Sequence, residues 1–172
     1  MPDLSSLGIP TFGLSTLGLI HTAISLVALV TGFILIVRDR SISPSARLGP
    51  TYLLATLLTA ATALGIFRHG SFGPPHAVAI LTLAALAAGW AASYMRIFGR
   101  AAPYVEAFCY SATYLFHLVP GFTETLTRLP VGAPVAASDQ APILQAIDAT
   151  LLALFLAWVL WQFWRLSGRA SR

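Results

Sequence analysis

LSTLGLIHTAISLVALVTGFILIVRDR, Leu14 to Arg40, is the stretch on which the fold turns. From Leu14 to Val37 it carries no charged residue, and a helix of about 20 residues is enough to cross roughly 30 Å of hydrocarbon. Arg38 and Arg40 then close the run. Four more apolar runs follow: Leu48 to Phe67, His76 to Phe98, Tyr104 to Leu126, and Ile143 to Trp164. The pattern predicts an all-α integral membrane bundle of five transmembrane helices, forming one domain over residues 1–172, with spans at 14–37, 48–67, 76–98, 104–126 and 143–164.

Arginine placement orients the spans, because basic loops are retained in the cytoplasm. Arg38, Arg40 and Arg47 lie in the first loop, Arg96 and Arg100 in the third, and Arg165, Arg169 and Arg172 in the tail, which makes eight of the ten basic residues. The second loop has only Arg68 and the fourth only Arg128. The amino terminus is therefore expected outside and the carboxyl terminus in the cytoplasm, in a bacterial inner (cytoplasmic) membrane. The opening MPDLSS has no basic residue and the first run is too long for a signal-peptide core, so the first helix is expected to be retained.

Composition agrees: 57% hydrophobic, 9% charged and a mean hydropathy of +0.79 describe a chain solvated by lipid. The net charge of +4 comes from arginines at helix ends, not from a basic stripe interleaved with aromatics, so it orients the chain and meets anionic lipid; nucleic acid is not an expected partner. The single cysteine, Cys109, cannot form an internal disulfide and reads as a packing residue.

Punctuation supports the same division. Asp39 to Pro44 reads as a turn, Pro50 opens the second helix, and Gly70 to His76 makes a tight turn before the third. In the third helix Ala84, Ala88 and Ala92, or Ala85 and Gly89, recur at four-residue spacing, which predicts close backbone approach and a central position. The stretch from Leu129 to Pro142 is the only long irregular loop. Trp158, Trp161 and Trp164 beside Arg165 read as an interfacial belt.

The fourth helix has the strongest chemical pattern. At about 100° per residue, Glu106, Tyr110, Thr113, Tyr114, His117, Gly121 and Glu124 share one face. Ionisable groups in hydrocarbon normally face a bundle interior or a cavity. Pro120 and Gly121 predict a kink or break just beyond His117. The first helix offers a matching stripe, Gly18, His21, Ser25, Ala28 and Gly32, and His21 and His117 fall at comparable depth. His69 and His76 lie in or beside the second loop, so the four histidines and Glu124 are expected to converge on one compartment, with Arg68 and Arg128 flanking it.

Two neutral imidazoles on facing helices are what a six-coordinate haem b would need, with Arg68 and Arg128 neutralising its propionates and His21 and His117 as axial ligands; the activity would be redox or electron transfer. Zinc or copper held by His21, His117, His76 and Glu124 is the alternative ligand set. A proton or solute path along Glu106, Tyr110, Tyr114, His117 and Glu124, enclosed by a homo-oligomer, belongs to a different class. So does an accessory or assembly subunit whose polar stripes bind a membrane protein partner. Individually, Glu106 also suits pairing with Arg96 or Arg100, and Glu124 suits pairing with Arg128 one turn later.

The runs HTAISLVALVTGFILI, RLGPTYLLATLLTAATALGIF and GSFGPPHAVAILTL resemble a prokaryotic family of predicted multi-pass membrane proteins that carry a domain of unknown function. The resemblance covers roughly residues 15–100 and rests on His21, Gly49 with Tyr52, and the Gly70 to His76 turn. It implies a multi-pass fold and no activity. Where many relatives have a histidine before the second helix, this chain has Ser45, Ala46 and Arg47. A looser likeness, of fold alone, is to small b-type membrane cytochromes.

The topology is testable by placing cysteines in the loops. Those in the first loop and the tail are expected to be shielded from an impermeant thiol reagent in intact cells, and those at Ser5 and Ser138 to label. Opposite labelling of the first loop and the tail would rule out five spans.

Overall fold

The computed structural model describes residues 15–66 and 72–170, except for the side chains of 96, 169 and 170. Helix α1, Thr16–Ile34, starts where the Ser15 hydroxyl accepts the Gly18 amide at 3.1 Å, satisfying one of the unpaired donors of its first turn. It runs into one π-turn, Leu35–Asp39, and stops at Arg40, whose backbone is left-handed at φ 54°. Helix α2, Gly49–Ala63, follows a tight turn in which a side chain at Gly49 would collide with the Ser43 carbonyl; Pro50 sits in its first turn. Helix α3, Pro74–Tyr94, opens on two prolines and is followed by a short 3-10 segment, Arg96–Ala101. Helices α4, Ala102–Leu126, and α5, Pro142–Ala170, complete an all-helical chain with no strand among the described residues.

Three stretches, Thr16–Asp39, Pro74–Tyr94 and Pro142–Gly168, are long and apolar enough to cross a membrane, as expected of a membrane protein. The other two differ for separate reasons. At 15 residues α2 is about 22 Å long, short of the hydrocarbon thickness. Helix α4 has 25 residues, but Glu106, Glu124 and its tyrosines and threonines lower its hydropathy.

Helix α4 occupies the centre expected of the third helix. It packs along α3 and α5 and touches α1, while α2 lies against α1 and α3. The turn after α1, the start of α4 and the end of α5 meet at one end of the bundle, where Ser43 Oγ donates to Glu106 and Arg165 reaches the Arg40 carbonyl. The outer face is apolar, with Phe33, Val37, Leu154 and Leu160 exposed. Burying such side chains against lipid is no less favourable than burying them in protein, so packing and polar contacts hold the helices together.

That packing uses glycines against tyrosine rings. A Cβ on Gly89 would lie 2.5 Å from Tyr110 Cε1, and one on Gly32 would lie 2.6 Å from the Tyr114 ring and 2.8 Å from Tyr52. In α3, Gly89 and Ala92 are buried while Ala84 is exposed, so the inward register is that of Gly89. Cys109 is buried, in line with a packing role.

The proline of α4 does not break it: the helix continues through Pro120 to Leu126. One missing donor removes one hydrogen bond, and the flanking turns keep the rest. Beyond α4, the loop is tied back to the helix end, where the Ala136 amide donates to the Leu126 carbonyl at 2.9 Å and Ala136 is buried.

Gly89→Leu is expected to lower stability by about 1 to 3 kcal/mol through overpacking against Tyr110. Gly168→Ala, where an added Cβ meets nothing within 4 Å, is expected to be neutral or stabilising by up to about 1 kcal/mol. Thermal unfolding in detergent checks both; equal melting temperatures for the two variants would contradict this α3–α4 contact.

A polar interior along the fourth helix

The polar stripe of α4 faces inward, and it is met by a second stripe on α2. Tyr52, Thr56, Thr59 and Thr62 recur at three- and four-residue spacing, and the first three are buried. A buried hydroxyl or imidazole without a partner is costly, and in hydrocarbon no water makes up the loss. Tyr52 and Thr56 meet that requirement against Thr113 and His117 of α4, and Thr62 meets His21 of α1.

At the middle of the bundle, Tyr52 Oη lies 2.8 Å from Thr113 Oγ1, and both residues are fully buried. Thr113 donates its own proton to the Tyr110 carbonyl at 2.8 Å, so the tyrosine is the donor to Thr113. Thr56 is a further partner of Tyr52 and lies 3.1 Å from His117 Nε2. With the Tyr52 proton already committed, Thr56 donates either to the tyrosine oxygen or to the imidazole. The Tyr52 ring also meets His117 edge-on, with centroids 6.3 Å apart, and Tyr114 at 6.5 Å.

One turn and more along α2, His21 Nδ1 lies 3.0 Å from Thr62 Oγ1. The Thr62 hydroxyl donates to the Leu58 and Thr59 carbonyls, at 2.8 and 3.0 Å, so Nδ1 carries the proton in this contact. His21 and His117 are thus held against the same helix, on threonines six residues apart. Between them on α2 sits the Thr59 hydroxyl, buried and without a hydrogen-bond partner among the described residues.

At the opposite end, Glu106 accepts from Ser43 at 2.8 Å on one oxygen and from Ser93 at 3.1 Å on the other. Ser93 Oγ also lies 3.4 Å from Tyr110 Oη. No ion pair to Glu106 occurs among the described side chains; Arg100 does not pair with it, and the side chain of Arg96 lies outside the description. Hydroxyls from the turn after α1 and from α3 hold both of its oxygens.

The remaining candidates are placed as follows. Glu124 is ion-paired with Arg128, Nε to Oε2, at 2.6 Å, the helical i, i+4 contact. His76 is buried in the first turn of α3, accepts the Gly73 amide on Nδ1 at 3.2 Å and stacks on Phe72, which is the geometry of a helix start. Tyr114 donates to the Leu29 carbonyl at 3.4 Å. Arg68 and His69 lie outside the described residues. Among the described residues no three His, Cys, Asp or Glu side chains are grouped so as to hold a metal ion, so His21, His117, His76 and Glu124 are not brought together as one ligand set.

Sequence reading did not single out Thr56, Thr59, Thr62, Ser43 or Ser93, nor the contact in which buried Gln162 of α5 donates to Ser111 at 2.8 Å. The spacing of the α2 hydroxyls was the available signal. Comparisons with family models, curated proteins and solved structures found no match for this chain.

Proposed function

We propose that this chain is a five-span membrane protein, amino terminus outside, that conducts protons along α4. The observation that carries the proposal is the succession of hydroxyl, carboxyl and imidazole groups on the inner face of that helix. It starts at Glu106 with Ser43 and Ser93, passes through Tyr110 to the Tyr52, Thr113, Thr56 and His117 group, and ends at His21 with Thr62. Glu106 and His117 are eleven residues apart, about 16 Å along a helix, and Glu124 lies about 27 Å from Glu106 by the same rise. A line of ionisable groups of that length in a membrane interior is the composition of a proton relay. A hydroxyl can pass a proton on once it turns from the backbone carbonyl to which Thr113, Thr62 and Ser93 donate, and His117 and His21 can carry the charge in turn. The path requires water between these groups, and the cleft beside Glu106 is where it would enter. The groups lie within one chain, so the proposed path needs no second copy.

His21 and His117 support a second reading. Each is oriented by a threonine hydroxyl on α2, and the two threonines are six residues, about 9 Å, apart along that helix. A hydrogen bond on one ring nitrogen that fixes the other is how metal-binding imidazoles are commonly held. In that reading the pair ligates haem, and electron transfer is the activity. Arg128, engaged by Glu124, is a weaker candidate for a propionate than its position in the sequence implies.

The relay is tested in vesicles loaded with a pH-sensitive dye under an imposed potassium diffusion potential. Proton flux above that of empty vesicles is expected, falling at least tenfold in Glu106→Gln and in His117→Ala, with Thr150→Val as the control on the outer face of α5. Flux equal to that of empty vesicles would leave the network as interhelical adhesive in an accessory subunit.

The haem reading has its own measurement. The protein reconstituted with haem is expected to show a Soret band that His21→Ala and His117→Ala each shift or remove. A spectrum identical in all three proteins would dismiss it.

A further inference from the structure

The end of the bundle that holds Glu106 contains a cleft of about 180 Å³, bordered by Arg40 and Ser43 of the first turn, Glu106 of α4, and Gln162 and Arg165 of α5. Its charge is mixed in an ordered way. Arg165 is positioned by stacking on Trp161, 4.7 Å from the ring centre, and spends one contact, at 3.4 Å, on the Arg40 carbonyl. A guanidinium has five N–H donors, so most of those on Arg165 remain for the cleft. The Arg40 guanidinium has no hydrogen-bond or ion-pair partner among the described residues. The Glu106 carboxylate, held by two serines, retains acceptor capacity on both oxygens. Gln162 uses its amide nitrogen on Ser111, which leaves its carbonyl oxygen as an acceptor.

A purely anionic ligand would meet the carboxylate, and a purely cationic one would meet two guanidinium groups. A zwitterion satisfies both. We propose that the cleft binds a phosphate ester that carries a primary ammonium group, the chemistry of a phosphoethanolamine headgroup, with the phosphate between Arg40 and Arg165 and the ammonium on Glu106 and Gln162. The source is the membrane lipid itself. The cleft lies at the end of Pro142–Gly168, a stretch long and apolar enough to cross a membrane, with Leu166 in its lining and Trp161 against Arg165, so it opens where lipid headgroups lie and the acyl chain continues into the apolar layer. Arginine suits this role because its planar donors match a phosphate. The binding does not depend on whether protons move along α4.

The test is native mass spectrometry of the purified full chain titrated with lipids of equal acyl chains. Phosphatidylethanolamine is expected to bind at least tenfold more tightly than phosphatidylcholine, with the mono- and dimethylated headgroups in between, since each methyl group removes an N–H that the carboxylate accepts. Arg40→Gln and Arg165→Gln are expected to weaken phosphatidylethanolamine and phosphatidylglycerol alike, and Glu106→Gln to erase the preference for the first over the second. The methylation series needs only the native chain, so it stands even if a variant fails to fold. Glycerophosphoethanolamine, which has no acyl chain, identifies the source: competition by it at the lipid's own concentration assigns a soluble zwitterion, and its failure assigns the lipid. Equal binding of all four headgroups, or a native preference for phosphatidylglycerol, would overturn the proposal.

Discussion

The contact between Tyr52 and Thr113 is the one on which the rest of the bundle depends. Both side chains are fully buried, and the tyrosine donates to a threonine whose own proton goes to the Tyr110 carbonyl. In an apolar interior an unmade hydrogen bond is costly, so this pair fixes α2 against α4 in register as well as in distance. Once that register is set, Thr56 arrives at His117, and Thr62 arrives at His21 of α1. The tyrosine rings then determine how near the other helices come. Tyr114 lies on Gly32 of α1 and Tyr110 on Gly89 of α3, places where a side chain would not fit.

Much of this was legible in the sequence, for physical reasons. Apolar runs of sufficient length declare helices, and the inward face of α4 follows from the spacing of Glu106, Tyr110, His117 and Glu124. The pairing of Glu124 with Arg128 is local, one turn along a helix, and so was readable. What escaped reading was tertiary. Threonine in a membrane helix usually satisfies its hydroxyl on a carbonyl of its own preceding turn, as Thr62, Thr82 and Thr150 do, so the spacing of the row on α2 marked a face without showing that it also serves two histidines. Charge alone suits Glu106 to Arg96 or Arg100; Arg100 is not its partner, and the contacts it makes among the described side chains are to serines from two segments far apart in sequence. Of the kink or break expected at Pro120, the break did not follow, since the rest of the helix keeps its bonds.

The two ends of the polar interior differ in chemistry. One holds paired imidazoles among threonines, with an ion pair nearby; the other holds a carboxylate among serines and opens onto a cleft that carries two arginines. A molecule that treated both sides of a membrane alike would not need that asymmetry. The direction of any transfer, of protons or of electrons, would be set by which end meets water and which meets headgroups.

Arg40 illustrates how backbone and side chain can want different residues. Its φ of 54° ends the π-turn and reverses the chain, a conformation that costs an ordinary side chain about 1 kcal/mol and glycine nothing. The same reversal brings the Arg40 carbonyl to Arg165 and sets the Arg40 side chain on the border of the cleft, so the main chain at one residue decides which arginines stand together at that end of the bundle.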